Sequence, residues 1–121
     1  MRLHVHREVT EHMVPAANQS PEPIKFLDLV DYQTGAVVSR QVLKKSAGSV
    51  TLFAFDEGQG LSEHSTPYDA LVNVLDGEME ITIAGKPMTV KTGEMLIMPA
   101  GQAHALKAIT RSKLVLVMIR T

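Results

Sequence analysis

Five histidines and no cysteine set the chemistry open to this 121-residue chain. Thiol catalysis, disulfides and thiolate metal sites are excluded. Imidazole, carboxylate and hydroxyl groups remain. His64 and His104 are the two histidines that fall among the strand-like segments from residue 36 onward. An imidazole nitrogen is a ligand for Fe, Mn, Ni, Cu or Zn. Uncharged, it is equally a polar group in an apolar pocket. His64 lies in GQGLSEHSTPYDALVNVLDG, residues 58–77, and His104 ends GEMLIMPAGQAH, residues 93–104. The first stretch reads Gly58, five residues, His64, one residue, Thr66, three residues, Ala70, six residues, Gly77. The second reads Gly93, five residues, Pro99, one residue, Gly101, two residues, His104. No nucleophile elbow, phosphate loop or HExxH helix accompanies them.

The elements that must position these residues are short strands. From Ala36 onward, AVVSRQVLKK, SVTLFAFD, DALVNVL, EMEITIA, MTVK, EMLIMP, HALKAI and KLVLVMI follow one another between turns. β-branched and alternating apolar residues mark them as about eight strands. EMEITIA alternates cleanly, with Met79, Ile81 and Ile83 on one face and Glu80 and Thr82 on the other. AGKP reads as the hairpin turn that follows. KLVLVMI is apolar on both faces, so it is expected in the middle of a sheet, covered on both sides. This pattern is all-β, a sandwich or small barrel. Residues 1–35 read as an N-terminal extension and 36–121 as the barrel. Within the extension, Ser20 is a candidate cap, with Pro21 at the first position of a short helix in PIKFLDLVDY. Ile24, Leu27 and Val30 would share its apolar face.

The two spacings resemble the two motifs of the cupin superfamily. The first family motif is glycine, five, His, one, His, three or four, Glu, six, glycine; the second is glycine, five, proline, one, glycine, two, His. The second motif is matched at every position through His104, and the first at both glycines and His64. The resemblance spans about residues 36–119. It implies a double-stranded β-helix, or jelly-roll barrel, whose ligands point inward as a three-nitrogen, one-oxygen metal pocket. It also implies a homodimer in which N-terminal strands cross to the neighbour's sheet. Here Thr66 stands at the second His position and Ala70 at the Glu position. Two of four ligands remain, so a resident divalent transition metal and none are equally supported. Glu63 and Asp69 flank the gaps; in regular strands both point outward. A one-residue bulge at Pro67 would turn Asp69 inward as a third ligand.

Other residues allow a plainer reading. His4 and His6 share a strand face, and with His12 they form a second candidate metal group. Such a pair is more simply solvated, or part of an edge strand that meets a partner subunit. Tyr32 and Tyr68 are candidate pocket phenols, although Tyr68 after Pro67 equally serves to cover a barrel mouth. Met79 and Met98 read first as core fillers. With Thr66, Ala70 and Tyr68 they are also candidate pocket-lining residues.

Composition bounds the partners. Net charge is −1, and Lys44-Lys45 is the only basic pair, so no nucleic-acid or anionic-membrane surface is expected. MRLHVHREVTEHMV has no apolar run resembling a secretory signal. A cytoplasmic protein is expected. With no tryptophan and 4% aromatic residues, a sugar-stacking site is disfavoured. The expected function is small-molecule binding in a barrel with a degenerate two-histidine metal site. The alternative is a metal-dependent dioxygenase or isomerase using His64 and His104. A purely structural or partner-binding role has no positive feature behind it.

Overall fold

The computed structural model describes residues 10–14 and 22–120. Among these residues ten strands form two facing sheets: β1 (Thr10–Val14), β2 (Ala36–Lys45), β3 (Gly48–Phe55), β4 (Gly60–His64), β5 (Asp69–Asp76), β6 (Glu78–Ile83), β7 (Lys86–Lys91), β8 (Met95–Met98), β9 (His104–Ala108) and β10 (Ser112–Ile119). One sheet runs β1-β2-β3-β10-β5-β8 and the other β4-β9-β6-β7. All these pairings are antiparallel except β1 with β2. This is the all-β double-sheet barrel expected from the strand pattern.

Alternation places the core between the sheets. Phe55, Val72, Val74, Met79, Ile81, Met98, Leu114 and Leu116 are buried there together. Glu80 is exposed between Met79 and Ile81, as a period of two requires. β10 lies inside its sheet, between β3 and β5. Leu114, Leu116 and Met118 pack into the core, and Val115 is buried on the opposite face. The AGKP turn joins β6 to β7 with Ala84 at φ 49° and Gly85 at φ 81°. Two positive φ values match the twist of the hairpin.

Eight expected strands coincide with β2, β3 and β5–β10 to within one or two residues at either end. β1 and β4 are additional. β4 carries no alternating signature in the sequence because a bulge interrupts it. β1 falls within the expected extension and joins the six-stranded sheet beside β2. His12 lies in β1, its side chain outside the described residues; His4, His6, Ser20 and Pro21 also lie outside them.

The expected helix is only a single 3-10 turn, Phe26–Asp28, and Lys25 before it is extended. Ile24 and Leu27 remain exposed, and Val30 alone of the three is buried. A short helix with no packed apolar face gains too little to form. Residues 22–35 instead lie along the outer face of the six-stranded sheet. Val30 packs there with Val38, Leu52, Ala54 and Val115. Tyr32 belongs to this outer cluster and not to the barrel interior. Its hydroxyl donates to Asp76 Oδ2, and Arg111 and Lys113 lie 5.4 and 5.0 Å from its ring centre. Burial, then Asp76, raise the Tyr32 pKa far above the usual phenol range. Asp56 accepts from the Gly35 N–H and from Arg111, which hold its pKa at about 2.

Candidate functional site

His64 ends β4 and His104 begins β9, and the two are paired across the strands. The path to this pairing is irregular. Gly60 pairs Lys107 and Leu61 pairs Leu106, and the next pair is His64 with His104. Between these pairs β4 advances by one residue more than β9. The extra residue is a bulge at Ser62–Glu63, both exposed. Regular alternation from the buried Leu61 would aim Glu63 inward and His64 outward. The bulge reverses that parity and brings His64 to the inner face.

The two rings meet edge to face, with centroids 4.4 Å apart and planes at 73°. Their Nε2 atoms are 3.1 Å apart. His64 Nδ1 lies 2.7 Å from the Ser62 carbonyl, and His104 Nδ1 lies 3.2 Å from the Gln102 carbonyl. A carbonyl only accepts, so each Nδ1 carries the proton. In the neutral rings both Nε2 lone pairs then point into the same space. They demand something between them: one shared proton, a ligand donor or a cation. At about 2.0–2.1 Å per metal–nitrogen bond, two neighbouring ligands of one ion stand roughly 2.9–3.4 Å apart. The observed 3.1 Å falls inside that window.

His104 is fully buried. Burial, and secondarily the neighbouring His64, push its pKa below the ordinary imidazole value of 6.5, against a small opposing effect of the Gln102 carbonyl. A folded pKa below the unfolded one means the unfolded chain binds the extra proton first. The stability from His104 is therefore complete above pH 6.5 and drains away as pH falls through the folded value. Thermal melts from about pH 7.5 to about pH 5 should show a falling melting temperature, flattened in His104→Leu. An equal slope in both proteins would refute this.

The remaining family positions do not complete a ligand sphere. Thr66 is buried, and its Oγ1 accepts from the Tyr68 N–H at 3.2 Å. Ala70 is buried on β5, paired with Met98 and Met118. Asp69 is exposed, and its Oδ1 accepts from the Ala100 N–H at 2.9 Å. The β5–β8 pairing runs without a shift from Ala70 to Asn73. The bulge in this region lies at Ser62–Glu63 in β4 and not at Pro67, and Asp69 is exposed. Glu63 is exposed, as expected. Asp69 instead steadies the turn before His104, where Gly101 N–H also donates to the Thr66 carbonyl at 2.7 Å. These two bonds tie the two motifs together. Among the described residues no three His, Cys, Asp or Glu side chains gather as a metal group.

Met79 and Met98 are fully buried in the core, and Tyr68 packs against it half-buried. Ile83 of β6, a core residue, pairs His104 across the sheet, so the histidine pair borders the apolar core. A separate cleft of about 340 Å³ is lined by Glu57, Gly58, Glu80, Lys107, Ala108 and Ile109, with neither histidine among them.

A Cupin domain model matches residues 51–120, more than half of the chain. The chain is a cupin. This cupin is similar over 99% of its length to a conserved protein of unknown function from Streptococcus pyogenes, covering 96% of that chain at 27% identity and TM-score 0.82. It is also similar to a cupin 2 conserved barrel domain protein from Leptotrichia buccalis, at 37% identity and TM-score 0.76 over 78% of this chain. It covers only 46%, about half, of that longer protein. A cupin superfamily protein from Desulfitobacterium hafniense shares the fold at 24% identity and TM-score 0.78, over 88% of this cupin and 95% of that chain. No curated protein matches. No helix among the described residues of this cupin is long and apolar enough to cross a membrane.

Proposed function

We propose that this cupin binds a small molecule inside its barrel, in the cytoplasm, with the His64–His104 pair as the polar anchor. The observation behind this reading is the pair itself: two imidazoles, each oriented by a carbonyl, with Nε2 atoms converging at 3.1 Å. Apolar neighbours with a few converging polar groups are what small-molecule sites use. A ligand hydroxyl, or a protonated ligand nitrogen, donates to the paired Nε2 acceptors. Thr66 and the half-buried Tyr68 are the next polar side chains along the chain.

A second reading has one specific observation in its favour. The Nε2 separation suits two positions of a divalent transition-metal sphere. Thr66 and Ala70 do not supply the other two. A metal held at His64 and His104 would be a Lewis acid with its remaining positions left to water or substrate. On that reading the protein is a metal-dependent enzyme of dioxygenase or isomerase type.

Elemental mass spectrometry of untagged protein, beside a His64→Ala, His104→Ala variant, separates the two. Near-stoichiometric metal lost in the variant supports the second reading. Metal-free protein that stays so with added Fe, Mn, Ni, Cu or Zn supports the first. Native mass spectrometry should then find a retained small molecule that the variant loses. Neither metal nor ligand, even after screening by thermal shift, would overturn both.

A further inference from the structure

We propose that the molecule anchored at the histidine pair is a small hydroxycarboxylate, whose hydroxyl meets the Nε2 atoms and whose carboxylate is held by Lys44 and Lys86. The inference rests on the small-molecule reading of the pair and names the class of molecule that it takes.

The observation is the charge carried by the inward-facing positions. Alternation and register assign those positions in each strand from β2 to β10. Besides the two histidines, the charged residues at inward-facing paired positions of these strands are Lys44 of β2 and Lys86 of β7. Lys44 pairs Ser49, which pairs the core residue Met118. Lys86 pairs the core residue Ile83, which pairs His104. None of these inward positions carries Asp or Glu.

Both lysines stand at the end of the barrel that holds the histidines. The row Lys44, Ser49, Met118, Ala70, Met98 crosses the six-stranded sheet. The row His64, His104, Ile83, Lys86 crosses the four-stranded sheet. Residues 65–68 lead from His64 to β5, and 99–103 lead from Met98 to His104. The Gly101 N–H bond to the Thr66 carbonyl ties these two connections together. The rows therefore face each other across the roughly 10 Å between packed sheets. A lysine ends each of them. Both lysines are exposed, and neither forms an ion pair among the described residues.

The acids of this end turn away. Asp69 pairs Ile119 on the outer side and holds the Ala100 N–H, and Glu63 is exposed in the β4 bulge. A ligand ammonium would find no inward carboxylate here and would meet two lysines of its own charge. That decides between the two donors open to the Nε2 pair, in favour of a hydroxyl. A carboxylate finds the opposite: two ammonium groups on flexible stems, which make its strongest hydrogen bonds. Ser49, Thr51 and Gln41, half-buried on the same face of the sheet as Lys44, add neutral donors. Met98, Met118 and Ile83 give a carbon skeleton an apolar floor, which favours an organic acid over a bare inorganic anion.

The test is calorimetric titration of the full chain with glycolate, lactate and 2-hydroxy-4-methylpentanoate, each beside its neutral amide. Nitrogen-15 spectra of the imidazoles report whether binding occurs at the pair. At least one acid should bind about tenfold or more tighter than its amide and shift the His64 and His104 signals. Lys44→Gln with Lys86→Gln should bring the acid down to the affinity of the amide, whereas Lys44→Arg with Lys86→Arg should keep the preference. Thermal melts of both variants check that these exposed substitutions leave the fold intact. Inorganic phosphate should leave the imidazole signals unmoved. An amide that binds at the histidines as tightly as its acid overturns the proposal and leaves the small-molecule reading standing. A preference that survives the double glutamine variant, or phosphate that binds as tightly as the best acid, overturns it likewise. Binding by no acid and no amide also overturns it; the retained-ligand measurement on wild type and the His64→Ala, His104→Ala variant then decides separately whether the small-molecule reading survives.

Discussion

Replacing Thr66 by His and Ala70 by Glu should raise the affinity for Zn, Ni or Mn by roughly two orders of magnitude, about 2.7 kcal/mol. The reasoning starts from the existing pair. His64 and His104 supply two converging nitrogens. Thr66 is buried two residues beyond His64, and Ala70 is buried on β5, at the two positions where cupins carry further ligands. An imidazole and a carboxylate there would complete a three-nitrogen, one-oxygen set. The change has a cost without metal. The longer side chain of the Ala70→Glu substitution would crowd Met98 and Met118, the strand neighbours of Ala70. Overpacking and an unpaired buried carboxylate each destabilise by about 1–3 kcal/mol. The metal-free variant should therefore melt below the wild type and recover on adding metal, because the ion binds only the folded state. Chelator-competition calorimetry on wild type, Thr66→His and the double variant gives the affinities. An unchanged affinity in the double variant would mean that the histidine pair does not face an ion site.

Gly60→Ala should lower the melting temperature by roughly 10 °C or more and abolish whatever binds at the histidines. A Cβ at Gly60 would sit 2.0 Å from the Leu106 carbonyl oxygen and 3.0 Å from Lys107 Cα, all backbone of β9. Backbone cannot step aside as a side-chain tip can, so β4 must part from β9. The strain is about 2–4 kcal/mol, in the range of severe core lesions. The same pairing aligns His64 with His104 four residues further on. Parting it separates the Nε2 atoms. Melting followed by circular dichroism reports the first effect. Nitrogen-15 spectra of the imidazoles report the second, since the Nε2 signals should lose their mutual dependence. A stable Gly60→Ala protein with unaltered imidazole signals would show that β4 has slack at this point.

Much of the barrel is legible along the chain. In β6 the period of two states which residues face inward, and Met79, Ile81 and Ile83 do. β10 announces its central place by being apolar on both faces. Glycines at set spacings mark the turns: Gly77 has φ 92°, and a Cβ there would meet the Arg111 carbonyl at 2.2 Å. Such positions are local or strictly periodic, so neighbouring residues suffice to define them. Tyr32 is the opposite case. Nothing near it says that it lies outside the barrel, clasped by Asp76, Arg111 and Lys113 from far along the chain. The expected helix failed similarly, because its apolar stripe needed a surface and only Val30 found one.

The residue types at the site were set from the start: two histidines at cupin spacing, with threonine and alanine where two more ligands would stand. Those identities already limited any protein-held metal to a half-filled sphere. Folding supplied the rest. The bulge at Ser62–Glu63 exists only in the pairing of β4 with β9, and a lone strand has no register from which to depart. It turns His64 inward and aims the Ser62 carbonyl at Nδ1. In β5, Asp69 is exposed and holds the Ala100 N–H. The convergence of the two Nε2 atoms arises between residues 40 positions apart. Local preference carries no information over that distance; the pairing of β4 with β9 within one sheet does.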